Sequence, residues 1–407
     1  MGKEENSAPM FSFSKAGLLP QEEMLEVEDK KKQITIGIPK ENHELENRIS
    51  ITPEAVEILV QFGHKILLET NAGTGANYTD HYYSEKGAII TNNKAEVFQS
   101  DIILKVAPLS LEECELLKGN QIVISSLHFN NNTKELVEKL MSKKVTALAY
   151  ENIKDEHNCY PVVKSMSAIA GNTSILMAAE YLSTSRKGKG VMLGGIAGIT
   201  PTEVVIIGAG TAAEFACRAA LGMGAAVKIF DNSLHDLRLI QNNLGIRLYT
   251  SVFHPKVLER TLRSADVVIG AIRSIEKSPR YWITEDMVKQ MKKGSVIVDI
   301  SIDQGGCIET SECRTQKDPI FEKHGVIHYC VPDMPSIVER TATIALSNVI
   351  LPLLQNLADS GGITPLIKDD VGIRHGVYLY NGLLTNKFIG NYFNIPSKDI
   401  DLLMAAF

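Results

Sequence analysis

The sequence predicts an α/β protein built as two doubly wound parallel sheets with a cleft between them, joined by long helices. Three observations predict it. Residues 203–231 read Glu-Val-Val-Ile-Ile-Gly-Ala-Gly-Thr-Ala-Ala, then a helical run, then Ala-Val-Lys-Ile-Phe-Asp. That is a buried strand, a glycine turn, a helix and a second strand ending in an acid. From Ile34 onward, strand and helix signals alternate, as in a parallel sheet with helical crossovers. A long apolar helix, from about Val338 to Ala358 with Pro352 inside it, then returns the chain to its first unit. Both units are therefore expected to be Rossmann-like.

The elements follow in order. Residues 1–33 are polar, charged and weakly patterned, and read as an extension. Ile34–Ile38 is a strand candidate. Thr52 caps a helix that Pro53 opens and that runs to about Phe62. Strands follow at Lys65–Leu68, Ile102–Val106, Ile122–Ser125 and Thr146–Tyr150, with a helix over Thr133–Lys143 between the last two. A second unit begins near Met166, with a helix over about Ser167–Leu182 rich in alanine and other small residues. The glycine-rich loop Gly188–Gly198 leads into the strand at 203–207. Further strands are expected at Val267–Ile269, Ser295–Ile300 and Val326–Cys330, and residues 360–407 complete the first unit.

Composition narrows the function. A chain of 407 residues suggests about two or three domains. The net charge of −6, with no basic stripe, argues against a nucleic-acid partner. Lys30, Lys31 and Lys32 stand beside Glu26, Glu28 and Asp29 and read as a solvated linker. The six cysteines form no Cys-x-x-Cys pair and no metal-ligand spacing with histidine, so no metal is expected. Free thiols suggest a reducing compartment. No stretch reads as a signal peptide. The apolar run over 344–357 is short for a membrane span and carries Asn348, Gln355 and Asn356. The expectation is a cytoplasmic protein without a membrane partner.

The glycine turn carries its own chemistry. Gly208 makes the tight turn, and Gly210 lets the backbone approach a pyrophosphate. Ala213 is small enough for the helix to pack on the sheet. Asp231, about 20 residues on, can accept from both ribose hydroxyls and would repel a 2′-phosphate. NAD is therefore expected over NADP. An ordinary βα turn with an accidental glycine pattern is the alternative.

Three further residues could do chemistry. Arg48 lies in Gly-Ile-Pro-Lys-Glu-Asn-His-Glu-Leu-Glu-Asn-Arg-Ile-Ser-Ile-Thr-Pro, residues 37–53, after a strand and before a helix. Its planar fork can grip a carboxylate bidentately, or it can be a surface arginine paired to Glu46 or Glu41. His128 follows the apolar run Ile122–Leu127 at a strand's C-terminal end, where it could bind a carbonyl oxygen or move a proton, or be structural. Asp303 lies past the strand at 295–300 beside Gly305 and Gly306, as a general base or a loop cap.

Together these motifs resemble the alanine dehydrogenase family, which is related to the NAD(H)-binding subunit of proton-translocating transhydrogenase. The resemblance runs from Ile34 to about Gly361. Its strongest elements are Gly-Ile-Pro-Lys-Glu with Asn-Arg-Ile-Ser-Ile-Thr-Pro, Ser-Leu-His at 126–128, Met-Ser at 166–167 and Ala-Gly at 170–171. Val-Val-Ile-Ile-Gly-Ala-Gly-Thr-Ala, Ile-Asp-Gln-Gly-Gly-Cys at 302–307, and Tyr-Cys-Val with Met-Pro at 329–335 complete it. The resemblance implies NAD-dependent, reversible oxidative deamination of L-alanine. By position, Arg48 would clamp the substrate carboxylate, His128 would bind the oxo group and shuttle a proton, and Asp303 would activate water or ammonia. Met166 and Ser167 would flank the nicotinamide, with Asp333 and Met334 also on the cofactor side. It implies an N-terminal extension over 1–33, a substrate domain over 34–165 plus 340–407, and an NAD-binding domain over 166–339. A homo-oligomer, a hexamer, is expected.

Two positions depart from the family pattern. Ala107 stands where the family has a substrate-gripping lysine; Lys105, two residues earlier, would share its strand face and serve instead. Asp333 stands where the family has asparagine, which makes the pocket more negative. The alternatives are a dehydrogenase of the same family with another amino acid as substrate, and an NAD(H)-binding subunit without catalysis.

Overall fold

The computed structural model describes residues 33–41, 46–127, 133–272 and 281–405. In chain order its strands are β1 (Thr35–Ile38), β2 (Lys65–Glu69), β3 (Ile89–Thr91), β4 (Ile102–Leu104), β5 (Ile122–Ser125) and β6 (Thr146–Ala149). Then come β7 (Glu203–Ile207), β8 (Ala226–Phe230), β9 (Tyr249–Ser251), β10 (Val267–Gly270), β11 (Val296–Asp299), β12 (Ile320–Lys323) and β13 (Val326–Tyr329), followed by β14 (Val377–Tyr380) and β15 (Leu383–Leu384).

Among the described residues these strands form an eight-stranded sheet, ordered β15-β14-β6-β5-β4-β1-β2-β3, and a seven-stranded sheet, ordered β12-β13-β11-β10-β7-β8-β9. In the first sheet β1 to β6 pair in parallel, and β14 joins β6 antiparallel. In the second, β7 to β11 and β13 pair in parallel and β12 closes the edge antiparallel. Each sheet winds outward in both directions from one strand, β1 in the first and β7 in the second. The winding reverses between β1 and β4 and between β7 and β10. A crevice for ligands opens at the carboxyl ends of strands at such a reversal.

Strands covered by helices on both faces must be apolar throughout. Val204, Val205, Ile206 and Ile207 of β7, and Val296, Ile297 and Val298 of β11, are accordingly fully buried. The helix Pro53–Gln61 starts where Thr52 and Pro53 direct it, with the Thr52 side chain accepting from the N–H of Ala55. Lys134–Ser142 is likewise capped by Thr133.

Two elements differ from expectation. The strand expected over Ile102–Val106 ends at Leu104. The N–H of Val106, which alternation turns away from β5 and toward β1, is taken by the Glu41 carboxylate at 2.6 Å. The helix expected from about Ser167 starts at Pro161. Proline fits the first turn because its missing N–H would have no partner there. Met166 and Ser167 therefore lie inside the helix rather than at its start.

That helix, Pro161–Leu182, packs closely on Thr211–Gly222. A Cβ on Gly171 would lie 2.2 Å from the carbonyl oxygen of Ala212, so only glycine permits the approach. A 3₁₀ turn, Met334–Val338, leads into the helix Glu339–Asp359. By length and composition alone, 334–359 could cross a membrane. In the fold, Leu346, Ile350, Leu353, Leu354 and Leu357 pack into the core of the first sheet. The same helix anchors the Arg48 segment: Thr343 Oγ1 accepts from the N–H of Ile49 at 3.1 Å, and Ser347 Oγ accepts from that of Thr52 at 3.2 Å.

Candidate functional site

The carboxyl end of β7 has the shape a dinucleotide needs. Gly208 has φ +110°, and a Cβ there would lie 2.5 Å from the Ala271 carbonyl oxygen at the end of β10. Any other residue would be strained and would clash. Gly210 caps Thr211–Gly222, and nothing lies within 4 Å of where its Cβ would be. The backbone at the start of this helix is therefore open to approach, at the end of a helix that favours an anion. Ala213 is fully buried in that helix. Asp231, just past β8, accepts from the N–H of Ala209 at 2.8 Å and from that of Ser233 at 2.7 Å. A carboxylate offers about four lone-pair sites, so capacity remains for ribose hydroxyls. These residues fit a bound NAD.

Asp303 lies at the end of β11, exposed on the 3₁₀ turn Ile300–Gln304. Its position is set by Asp299, which is fully buried. Asp299 Oδ1 accepts from the N–H of Ser301 (3.1 Å), and Oδ2 accepts from the N–H of Cys307 (3.1 Å) and from Ser311 Oγ (2.7 Å). One carboxylate thus ties together both ends of the 301–307 loop. Burial pushes its carboxyl above the usual range, against the pull of these donors. Burial and Asp299 together hold the Cys307 thiol protonated.

Arg48 follows β1 and is 5% exposed. The expectation of a pairing with Glu46 holds, but in the interior rather than at the surface. Glu46 accepts from Nε at 2.8 Å and from Nη2 at 2.6 Å, and Asp333 also accepts from Nη2. Nη1 faces the Met166 thioether at 3.6 Å. Burial would push the guanidinium down, but Asp333 and Glu46 more than reverse this and keep it charged. Asp333 sits after β13 with φ +52°, in the left-handed region, just ahead of Met334. The Arg48–Asp333 pair therefore links the carboxyl end of one sheet to that of the other. Met334 is 2% exposed and belongs to the core around the second sheet, while Ser167 is half-buried beside Met166.

Lys105 follows β4 and is 2% exposed. Its ammonium contacts Glu41 at 3.2 Å and Glu113 at 3.0 Å. Glu113 belongs to a capping box with Ser110 and also receives Lys94 at 2.9 Å. Burial would lower the lysine, but the two carboxylates raise it above its ordinary value. Burial raises Glu41 to about 7, against the pull of Lys105 and the N–H of Val106; Glu46 adds to the rise. Glu113 is lowered, because Lys105 and Lys94 outweigh its burial. Glu41 also takes the N–H of Ala107, at 3.4 Å. Tyr150, buried after β6, donates to the Val106 carbonyl at 2.6 Å.

Arg48, Met166 and Asp333 are thus brought into direct contact. Gly208, Gly210, Ala213 and Asp231 assemble around the end of β7, and Asp303 stands at the end of the same sheet. Lys105 lies one strand from Arg48, engaged by Glu41 and Glu113. His128 lies outside the described residues. Sequence reasoning did not single out Asp299, Glu113 or Tyr150, or assign Glu41 to Lys105. Ser110-x-x-Glu113 is a readable capping box; the others carry no local signal beyond their place at strand ends. Among the described residues no group of three or more His, Cys, Asp or Glu side chains is placed to hold a metal ion.

Comparison with known proteins adds to this geometry. Residues 37–170 match the family described as alanine dehydrogenase/PNT, N-terminal domain, and residues 174–387 match its C-terminal domain. An alanine dehydrogenase of Staphylococcus saprophyticus is 40% identical over 367 residues, covering 90% of this chain and 98% of the relative. Alanine dehydrogenase 2 of Staphylococcus aureus is 39% identical over 368 residues, again 90% and 98%. A solved L-alanine dehydrogenase superposes with a TM-score of 0.83 at 34% identity, covering 89% of this chain and 99% of that one. A transhydrogenase from Sinorhizobium meliloti shares the fold, with a TM-score of 0.74 at 21% identity, 87% of this chain and 99% of that one.

Proposed function

The chain belongs to the alanine dehydrogenase/PNT family, and from that premise we propose that it catalyses the NAD-dependent, reversible oxidative deamination of L-alanine to pyruvate, ammonia and NADH. One observation carries the reading on geometry. A buried guanidinium stands at the carboxyl ends of the first sheet, in contact with the loop after β13 of the dinucleotide-binding sheet.

The residues divide the work. Arg48 grips the substrate carboxylate and so fixes the orientation of Cα. Lys105 adds a second positive charge behind Glu41. Met166 and Ser167, with Asp333 and Met334, bound the space beside the nicotinamide. Gly208, Gly210 and Ala213 shape the pyrophosphate cradle, and Asp231 takes the ribose. Bound NAD supplies the hydride acceptor. On the substrate, the Cα–H bond breaks with its electron pair leaving as hydride, and the Cα–N bond becomes C=N. Water then adds at that carbon, and the C–N bond breaks to give pyruvate and ammonia. Asp303 takes the proton from the attacking water, and His128 binds the developing oxo group and moves a proton.

On this reading 34–165 with 340–407 is the substrate domain, 166–339 the NAD-binding domain and 1–33 an extension. The enzyme is cytoplasmic and hexameric. The occupation of Arg48 by two carboxylates favours a second reading, in which the chain binds NAD(H) without amino-acid chemistry. Measuring NADH formation by the purified protein across the common L-amino acids at alkaline pH decides between them. Turnover is expected with alanine; NAD binding without turnover of any amino acid would establish the second reading.

A further inference from the structure

The segment 310–318, between β11 and β12, is fixed at three points. Thr310 Oγ1 and His328 Nε2, both buried, share a hydrogen bond of 2.8 Å. Ser311 Oγ donates to Asp299, the carboxylate that ties the 301–307 loop. Gln316 Nε2 donates to Ser336 Oγ at 2.9 Å. Ser336 is 1% exposed. Its hydroxyl donates in turn to the Asp333 carbonyl oxygen at 2.8 Å, and its N–H donates to the same oxygen at 2.9 Å. That carbonyl belongs to a residue with φ +52° and ψ +52°. A residue other than glycine stays in this left-handed region only where its surroundings hold it. From that backbone the Asp333 carboxylate reaches Nη2 of Arg48. A chain of hydrogen bonds thus runs from a surface loop, through one buried hydroxyl, to the turn that meets the guanidinium.

We propose that Ser336, braced by Gln316, is a positioning residue for the deamination: it holds the Asp333 turn left-handed and so sets where the Asp333 carboxylate meets Arg48. This rests on the dehydrogenase reading above. Ser336 holds the Asp333 carbonyl, so its action does not depend on what else the Asp333 side chain touches. Glu46 occupies one fork of Arg48, through Nε and Nη2, and Asp333 meets the same Nη2. The place of the Asp333 carboxylate therefore bears on how the guanidinium is presented to a substrate carboxylate, whose two-point grip needs that plane fixed. The Ser336 N–H alone keeps one hydrogen bond to the Asp333 oxygen. The hydroxyl adds a second and carries the link to Gln316. Without it the half-buried Gln316 amide loses this acceptor, and the turn loses its brace. Small displacements of groups that orient a substrate are amplified in the kinetics.

The test is a mutant cycle over Ser336→Ala and Asp333→Gly. Glycine takes φ +52° without help and leaves no carboxylate to aim. Gln316→Ala reaches the same turn from the surface loop, and stands in for Ser336→Ala throughout should that variant not fold. NADH fluorescence first checks folding and cofactor binding. Ser336→Ala should move the alanine KM by about threefold or more, in the same direction as Asp333→Gly and further than it moves kcat. Gln316→Ala should do the same more weakly. In the Asp333→Gly background, Ser336→Ala should change the KM no further. The same factor in both backgrounds would make Ser336 merely structural, and an alanine KM unmoved by Asp333→Gly would separate Asp333 from substrate binding; either overturns the proposal. A crystal structure of Ser336→Ala reads the turn without turnover. It should show the Asp333 turn displaced and its carboxylate shifted from Nη2, whereas a turn and contact unchanged from the parent overturn the proposal as well. A parent that turns over no amino acid refutes the dehydrogenase reading instead, and the crystal structure still decides whether Ser336 holds Asp333.

Discussion

Replacing Asp299 by asparagine changes one atom of a fully buried side chain, and its effect can be worked out from the bonds. Oδ1 accepts from the N–H of Ser301 at 3.1 Å; Oδ2 accepts from the N–H of Cys307 at 3.1 Å and from Ser311 Oγ at 2.7 Å. In either orientation of the amide, its NH2 group meets one of the two backbone N–H groups. A hydroxyl can rotate to accept; a backbone N–H cannot. One end of the 301–307 loop therefore loses its partner. Hydrogen bonds to a charged group are worth about 1.5–3 kcal/mol, and a buried donor left unsatisfied costs about 1–3 kcal/mol. Against this, the amide escapes the burial penalty that raises the Asp299 carboxyl. A net destabilisation of about 1–3 kcal/mol is expected. Asp303 sits in the middle of the loosened loop, and misplacing a reacting group by about 1 Å can cost about a hundredfold in rate. Urea denaturation reads the first effect and steady-state kinetics the second, with kcat falling more than the alanine KM rises. A variant within about 0.5 kcal/mol of the parent and with parental kcat would show that Asp299 does not hold Asp303 in place.

Three other outcomes follow from the same contacts. The parent should bind NAD more tightly than NADP, and Asp231→Asn should weaken NAD by about tenfold and narrow the difference; fluorescence titration of a parent that prefers NADP would refute the role of Asp231. Arg48→Lys keeps a cation but loses the fork, so the alanine KM should rise about tenfold or more while NAD affinity stays put; weakened NAD binding would instead make Arg48 a structural residue. Glu41, raised by burial to about 7 from an ordinary 4.5 and facing Lys105 and Glu46, contributes stability that is fully present below about pH 4.5 and lost as pH rises through about 7. Relative to Glu41→Gln, the parent should lose up to about 3 kcal/mol across that window; parallel stability curves from urea denaturation at about pH 5 and about pH 8 would rule this out.

Most interior strands of the second sheet were legible because a strand covered on both faces tends to be apolar along its length. β7, β10, β11 and β13 come close to that, with Glu203, Asp299 and His328 as exceptions, and their positions follow from the sequence to within a residue or two; β14, equally buried, did not stand out. β3, β9, β12 and β15 did not stand out. They are two to four residues long, and each lies at a sheet edge. Ile89, Tyr249 and Leu383 on them are substantially exposed. An edge strand needs neither length nor unbroken hydrophobicity, so it leaves little pattern. The glycine turn was legible because Gly208 and Asp231 belong to one local unit. Arg48 stood out by its motif, but its partner Asp333 lies 285 residues away and only folding joins them. Lys105 illustrates the limit of face alternation. The rule applies within a strand, and β4 ends at Leu104, so nothing in the pattern directed the lysine toward Glu41 and Glu113.

The two cations at the carboxyl end of the first sheet are each held by two carboxylates. Arg48 has Glu46 and Asp333; Lys105 has Glu41 and Glu113. Taking a charge out of water is tolerated only when partners and hydrogen bonds replace the lost solvation. Lys105 meets that requirement from within the fold, since Glu41 and Glu113 are themselves 7% and 2% exposed. Arg48 meets it only with the help of Asp333, a residue of the other sheet that is still partly open to solvent. The two sites are therefore not equivalent. The lysine cluster is closed and can be left intact while a ligand binds. The arginine cluster includes one partner that is still partly open to solvent, and that partner is one of the two positions at which the sequence departs from the pattern it resembles. A substitution at Asp333 therefore acts on Arg48 directly, whereas the contacts of Lys105 with Glu41 and Glu113 do not involve it.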